Sequence, residues 1–471
     1  MTATAVKQTK EKKNRFPHVY VLLSLLVILA YAATFVVPSG TFERVKDAAT
    51  GRTVVQAGSY HTTDKTYLSA MDLPMSLVTG LQRSANVIFF VMLIGGAFQI
   101  ITRTRIFDAL TQAISNRVGD RGTLAIPVIA IFFSILGFTM GASQEVMIFV
   151  PVGIAIARTL GFDAMVGVAM MQLGAMCGFT AGLFNPFNVG VAQGLAGLPL
   201  YSGLWLRAVC LVIFLAITIP YIVRYALRVR ANPELSLCYD LELEERGEAS
   251  AGMERVPFSG RHTLILAVIV AGFALLLWGI REWGWFINEM TAVFFSIGIV
   301  CGYIGGLKSN EIAEEFVKGV KTIVFGSIII GFATAIIVIL DKGVILDTIV
   351  NGIFSTISYL PAPLQIVGIY LSQIVINFFI ISGTGQAAVV MPILVPLGDL
   401  LDISRQTLVM AFQLGDGFTN SFFPTSGTLM AVLSIAKIKY EHWVKFVFPL
   451  MAVFTVVCGL IVLFASVVGY H

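Results

Sequence analysis

The sequence predicts an all-α membrane protein built from two inverted repeats, each holding a re-entrant hairpin and a broken helix. Three observations carry that expectation. The chain of 471 residues is 57% apolar and only 12% charged, against roughly 45–50% and about 25% in soluble domains. Its apolar residues gather in runs long enough to cross a bilayer. A set of landmarks in the first half then recurs at a fixed distance in the second.

The elements follow in order. A basic tail, 1–17, carries Lys7, Lys10, Lys12, Lys13 and Arg15 ahead of the first apolar run. Ala30-Tyr31-Ala32 has the look of a cleavage site, but the run continues to Val37, so it reads as a retained spanning helix. Nine full spans are expected near 18–38, 84–102, 164–197, 204–227, 263–281, 286–306, 321–340, 405–436 and 443–468. Two further apolar stretches, 122–160 and 362–400, are about twice the length that one crossing needs. Each has a small polar motif at its middle and reads as a hairpin that enters and leaves on one side. The first half, 18–227, thus holds the hairpin 122–160 and the broken helix 164–197. The second half, 263–471, holds the hairpin 362–400 and the broken helix 405–436. Between them, 228–262 carries Glu242, Glu244, Glu245 and Glu248 among Pro, Gly and Ser, and reads as a solvated cytoplasmic linker. The segment 39–83 is expected to hold a short amphipathic helix near 68–82.

Charge sets the expected orientation. Lys and Arg fall on the loops that a cytoplasmic N-terminus would place inside, and the loops 198–203 and 282–285 carry none. The expected address is a bacterial inner membrane, with the N-terminus cytoplasmic and the C-terminus outside. The net charge of +4 is spread over short loops rather than gathered in a patch, which argues against nucleic-acid binding. Five cysteines and five histidines show no metal-ligand or disulfide spacing. No nucleophile–base spacing stands out either, so neither an enzyme nor a resident cofactor is expected.

The repeat gives the organisation its register. Gly141-Ala142-Ser143-Gln144-Glu145 matches Ser382-Gly383-Thr384-Gly385-Gln386. Pro151 matches Pro392, and Gln172-Leu173-Gly174 matches Gln413-Leu414-Gly415, without a gap (392 − 151 = 241; 413 − 172 = 241). Arg158 and Asp399 are equivalent but opposite in charge (399 − 158 = 241). A basic residue suits the inner face and an acidic one is tolerated outside, as inverted copies require. Inverted repeats with a binding site at their interface are characteristic of secondary transporters.

Four segments carry the chemistry: the tips 139–146 and 381–387, and the breaks 182–190 and 415–428. There the backbone leaves the helical ladder at membrane depth, which is tolerated only inside protein or along a wet cavity. The candidate substrate- or ion-binding residues are Ser143, Gln144, Glu145, Asn185, Asn188, Ser382, Gly383, Thr384, Gly385, Gln386, Asp416, Asn420, Thr425 and Ser426. Glu145 and Asp416 are ionisable residues at depth, which cost roughly 2.5–3.5 kcal/mol to insert and mark function by default. A coupling sodium ion is expected near Asn185, Thr384 and Thr425, or a coupling proton on a carboxylate. No Lys or Arg lies in the four segments, which leans toward a substrate with an amino or guanidinium group.

At these residues the sequence resembles a known family. Ser382-Gly-Thr-Gly-Gln-Ala, Gly398-Asp399-Leu400, Gln413-Leu-Gly-Asp-Gly-Phe, Phe423-Pro-Thr-Ser, Asn185-Pro-Phe and Val191-Ala-Gln-Gly-Leu-Ala-Gly look like those of the YfcC-type carriers. These are grouped with DcuC-like four-carbon dicarboxylate carriers and basic amino acid antiporters, within the ion transporter superfamily. The resemblance implies a homodimer with a scaffold and a moving transport domain of hairpins and broken helices, working as an elevator. The tips Ser-Gln-Glu and Ser-Gly-Thr depart from the Ser-Asn-Thr tips of sodium–dicarboxylate members. The function expected is alternating-access transport of a small amino acid, basic ones included, or a related carboxylate. A four-carbon dicarboxylate carrier is the nearest alternative and a channel the next.

Overall fold

The computed structural model describes residues 19–46, 53–56, 58–106, 109, 119–141, 143, 146–185, 187–250, 258–283, 285, 287–357 and 359–470. The basic tail, part of the linker at 251–257, and the predicted site residues Gln144 and Glu145 lie outside them.

The described chain is almost wholly helical. Its first half holds α1 (Val19–Val36), α2 (Asp72–Arg83), α3 (Ala85–Arg103), α4 (Ala125–Met140), α5 (Val146–Thr159), α6 (Ala164–Ala181), α7 (Val189–Leu195) and α8 (Leu204–Ala231). The linker contributes α9 (Tyr239–Ser250). The second half holds α10 (Gly260–Glu282), α11 (Ile287–Ile304), α12 (Ser309–Lys342), α13 (Leu346–Ile357), α14 (Ala362–Phe379), α15 (Gly383–Leu400), α16 (Arg405–Gly417), α17 (Gly427–Ile435) and α18 (Tyr440–Val467). Among the described residues, six helices are long and apolar enough to cross a membrane, and the chain is a multi-pass membrane protein. The repeat register reappears in the helices: α6 and α16 begin 241 residues apart (405 − 164 = 241).

The helices pack as two groups. In one, α12 lies along α1, α2 and α3, and α11 joins α3 to α10. Glycine sets these distances. A Cβ on Gly319 would lie 2.4 Å from the Gly95 carbonyl oxygen, and one on Gly80 2.4 Å from the Gly331 carbonyl oxygen. Such close backbone approach between apolar helices is what small residues permit in a membrane. In the other group, α6 packs against α4, α5 and α8, and α16 against α14, α15 and α18. Here a Cβ on Gly178 would meet the Ser134 carbonyl oxygen at 1.9 Å. Helix α17 belongs to the second group by sequence, yet it lies on α12 and α3 of the first. At that seam a Cβ on Gly427 would meet only Ile330 Cγ2, at 3.3 Å.

Three features depart from expectation. The segment 39–83, expected to hold a short amphipathic helix near 68–82, also forms two small antiparallel pairs ahead of α2. These are β1 (Gly40–Thr41) with β4 (His61–Thr62), and β2 (Arg44–Lys46) with β3 (Thr53–Val55). Asp347, at the start of α13, anchors them by accepting from the Phe42 backbone N–H at 3.0 Å and from Arg44. Helix α13 itself was not anticipated. The linker is not simply solvated either. Glu242 on α9 is buried, accepts from the Ala164 N–H at 2.9 Å and pairs with Arg158 at 3.1 Å. Asp163 caps α6 by accepting from the Val166 N–H at 3.0 Å, and also accepts from Tyr225 and Ser236 hydroxyls at 2.7 and 2.6 Å. An acidic residue reads as solvated in sequence, but here it satisfies orphan N–H groups at a helix N-terminus.

Candidate functional site

The breaks arise where the chain predicts them. Helix α6 stops at Gly182, which takes a left-handed conformation (φ 58°) suited to glycine. The chain then restarts as α7, whose N-cap is Asn188: its Oδ1 accepts from the Val189 N–H at 2.6 Å. In the second half α16 stops at Gly417, a 3-10 turn covers Phe418–Ser421, and Ser426 caps α17 by accepting from the Leu429 N–H at 3.2 Å. Between α14 and α15 the tip is capped by Ser382, whose Oγ accepts from the Gly385 N–H at 3.2 Å. Ser426 and Ser382 thus serve the backbone first.

Three of the four segments meet around one carboxylate. Asp416 is fully buried. Its Oδ2 accepts from Asn188 Nδ2 at 3.3 Å, which joins the two breaks. Gly383 of the second tip faces the same carboxylate, since a Cβ there would lie 2.9 Å from Asp416 Oδ2 and 3.1 Å from Asn188 Cβ. Thr384 Oγ1 donates to the Phe187 carbonyl at 2.6 Å, which ties the second tip to the first break. The fourth segment joins through Gly141 (φ 64°), where a Cβ would meet Asn185 Oδ1 at 2.6 Å. Asn185 Oδ1 itself accepts from the Phe187 N–H at 2.9 Å. Ser143 is half-buried at the first tip. Gln386 donates to the Gln373 carbonyl and side-chain oxygens at 3.2 and 3.1 Å, so it braces the hairpin from within.

Two residues outside the four segments complete the arrangement. Asn377 lies on α14, one turn before the tip. Its amide donates to the Asp416 carbonyl at 3.0 Å, to Thr419 Oγ1 at 2.7 Å and to Asn420 Oδ1 at 2.9 Å. The signal was there: Gln373 and Asn377 are a polar pair at helical spacing in an apolar run. Arg207 on α8 is also fully buried and reaches α16 at Gln406 and Gln413. A lone arginine near the start of an apolar span gave no hint of that contact.

The unpaired atoms define what the site can hold. Among the described residues, Asp416 Oδ1, Asn377 Oδ1, Gln386 Oε1 and Thr425 Oγ1 have no hydrogen-bond partner, and Asn185 Nδ2 is an unpaired donor. Acceptors therefore outnumber donors. Buried acceptors without donors call for a proton, a hard cation or a ligand N–H. No group of three His, Cys, Asp or Glu side chains that could hold a metal occurs among the described residues.

Comparison with known proteins identifies the family of the chain. Residues 16–467 match the family model described as DcuC, C4-dicarboxylate anaerobic carrier. The chain is 33% identical to YfcC of Escherichia coli (strain K12), a candidate basic amino acid antiporter, over 99% of this chain and 100% of that one. A protein of Haemophilus influenzae is 28% identical over 94% of this chain and 95% of its own length. Two solved structures align with a TM-score of 0.41 each. They are the YdaH transporter of Alcanivorax borkumensis (16% identity, 96% of this chain, 99% of that one) and MtrF of Neisseria gonorrhoeae (17%, 97% and 96%). The expectation that the chain is no enzyme agrees with relatives that are carriers. Family match and full-length identity together make the chain a member of the DcuC family of membrane carriers.

Proposed function

We propose that the chain is a secondary transporter that exchanges a small amino acid, basic ones foremost, across the bacterial inner membrane, with Asp416 as the anionic group of its site. The observation that carries this is Asp416, a fully buried carboxylate with one oxygen unpaired and no cationic partner among the described residues. An ammonium or guanidinium group supplies the missing donors. A coupling sodium ion or proton satisfies the same oxygens when the substrate is absent. The N-terminal end of α15 offers backbone N–H groups for a substrate carboxylate. The basic amino acid named for the Escherichia coli relative agrees with this chemistry.

The division into two helix groups supports an elevator motion. The second group carries the hairpins and both breaks, together with α8 and α18. The first would be the scaffold, through which a homodimer would form. The cytoplasmic N-terminus and external C-terminus belong to the same reading.

A four-carbon dicarboxylate is the second reading, favoured by the family description and by the buried guanidinium of Arg207 close behind α16. Uptake of labelled arginine, ornithine and aspartate into proteoliposomes separates the two, with succinate as competitor. The expected outcome is arginine or ornithine uptake that succinate does not compete away, and that drops at least about tenfold in Asp416→Asn, the loss of one charge-assisted contact. Wild-type uptake in Asp416→Asn would sink the role given to that carboxylate. Block by succinate alone would move the assignment to dicarboxylates.

A further inference from the structure

The repeated tripeptides Gln172-Leu173-Gly174 and Gln413-Leu414-Gly415 stand behind the site rather than in it. Their glycines do matching work. A Cβ on Gly174 would lie 2.6 Å from the Ala130 carbonyl oxygen on α4, and one on Gly415 would lie 2.4 Å from Gln373 Cβ on α14. Each broken helix thus lies against the first arm of its own hairpin at a distance that glycine permits. The glutamines reach the other way. Gln413 Nε2 donates to the Thr180 carbonyl, one residue before the end of α6. Gln172 Nε2 donates to Ser421 Oγ at 3.5 Å, in the turn that follows α16. Thr180 and Ser421 are themselves repeat equivalents (421 − 180 = 241). The glutamine of each half therefore ends on the break of the other half, at the same place in the repeat.

The two braces are unequal. Arg207 and Trp443 are each the fourth residue of the last helix of their half, and both are fully buried. Arg207 Nη1 donates to Gln413 Oε1, and its Nη2 to Gln406 Oε1 at 3.3 Å. Its Nε is unpaired. Trp443 Nε1 instead donates to the Ser421 carbonyl at 2.8 Å, and Gln172 Oε1 is left without a partner. Gln413 is thus gripped at both ends, once by a charged donor, and such bonds are about twice as strong as neutral ones. Gln172 is held at one end by a long bond. A fully buried arginine is costly to keep, which marks it as more than filler.

We propose that Gln172 and Gln413 are reciprocal positioning residues, each holding the helix break of the opposite repeat half, and that Arg207 makes the hold on the first break the stiffer one. For transport this rests on the reading that the two breaks form the substrate site. The break with Asn185 and Asn188 then depends on the Gln413–Arg207 brace for its place in the site. The break with Asp416 and Asn420 is held mainly by Asn377, Trp443 and Tyr440, with Gln172 as the weaker brace.

Hydrogen–deuterium exchange on the full-length chain in detergent tests this without any substrate. Gln413→Leu and Arg207→Met are each expected to speed exchange at the amides from 182 to 190 by about tenfold or more, the scale of a bond to a charged group. The amides from 417 to 423 should stay near wild type. Gln172→Leu is expected to speed exchange at 417–423 by about threefold, the scale of a weak neutral bond, and to leave 182–190 alone. Arg207→Lys should keep most of the protection. Faster exchange confined to the half that carries the substitution would overturn the reciprocal hold. Equal loss at both breaks in Arg207→Met would overturn the inequality, and a lysine variant that behaves like the methionine one would overturn the part given to charge. Should Gln413→Leu not purify as a folded protein, Gln413→Asn, one methylene short of Thr180, carries the same expectation at smaller amplitude. No transport is measured, so a wrong substrate assignment leaves the outcome readable.

Discussion

The base of the first hairpin and the base of the second are held by different means. Arg158, at the end of α5, pairs with Glu242 through both Nε and Nη2, and Glu242 also accepts the first backbone N–H of α6. That pair is largely buried, with side-chain exposures of 30% and 9%. At the equivalent place in the second half, Asp399 pairs with Arg405 at 2.8 Å, with exposures of 49% and 43%. Arg405 also donates to the Ala196 carbonyl at 3.0 Å, just past α7. The opposite charges of Arg158 and Asp399 thus do more than suit two sides of a membrane. Each closes its hairpin onto the following helix. The second half finds its partner locally, while the first takes one from the linker. The linker is therefore a working part of the first hairpin, despite a composition that reads as solvent-loving.

That contrast can be broken or sharpened by substitution. The largest expected effect is from Glu242→Ala, which removes the buried carboxylate that Arg158 and the first N–H of α6 share; about 3 kcal/mol of stability should be lost. A thermal unfolding scan in detergent checks it, and a midpoint unchanged from wild type would return α9 to the status of a tether. Asp163→Ala comes next, at about 1–2 kcal/mol, because it removes the cap of α6 and the acceptor for two hydroxyls. The smallest effect belongs to Asp399→Asn, since an exposed pair is screened by water and salt. The hydrogen bond from Arg405 holds the Asp399 carboxyl below the usual carboxylate range. A depressed carboxylate stabilises the fold above its ordinary pKa, and that contribution fades as the pH falls through the lowered value. The difference between wild type and Asp399→Asn should thus be small at neutral pH and vanish in acid or in high salt. A difference as large as that of Glu242→Ala would erase the contrast between the two bases.

Much of the framework could be read from the residues alone. Gly182, Gly417 and Ser382 interrupt apolar runs, and interrupted runs at membrane depth have few explanations. Asp416 stood out for its charge, Asn188 and Thr384 for their company, and all three meet in the fold. Arg207 and Glu242 were not legible as site or clamp residues. Each owes its role to a partner more than thirty residues away, and nothing local distinguishes a buried arginine or a docked glutamate from an exposed one. The strand pairs of 40–62 escaped notice because two- and three-residue strands leave no periodicity to find.

The seam between α17 and α12 has a consequence of another kind. Within each group, glycine lets main chain touch main chain, and contacts of that sort are all or nothing: one added methyl pries the helices apart. At the seam the Gly427 position faces only the Ile330 side chain, and Ser434 Oγ donates to the Ile323 carbonyl at 3.4 Å. A side chain can shift where main chain cannot. A methyl added at Gly427 meets only the end of a side chain that can move aside, whereas the same change at Gly319 or Gly178 meets a carbonyl of the neighbouring helix and decides whether the two helices can pack at all.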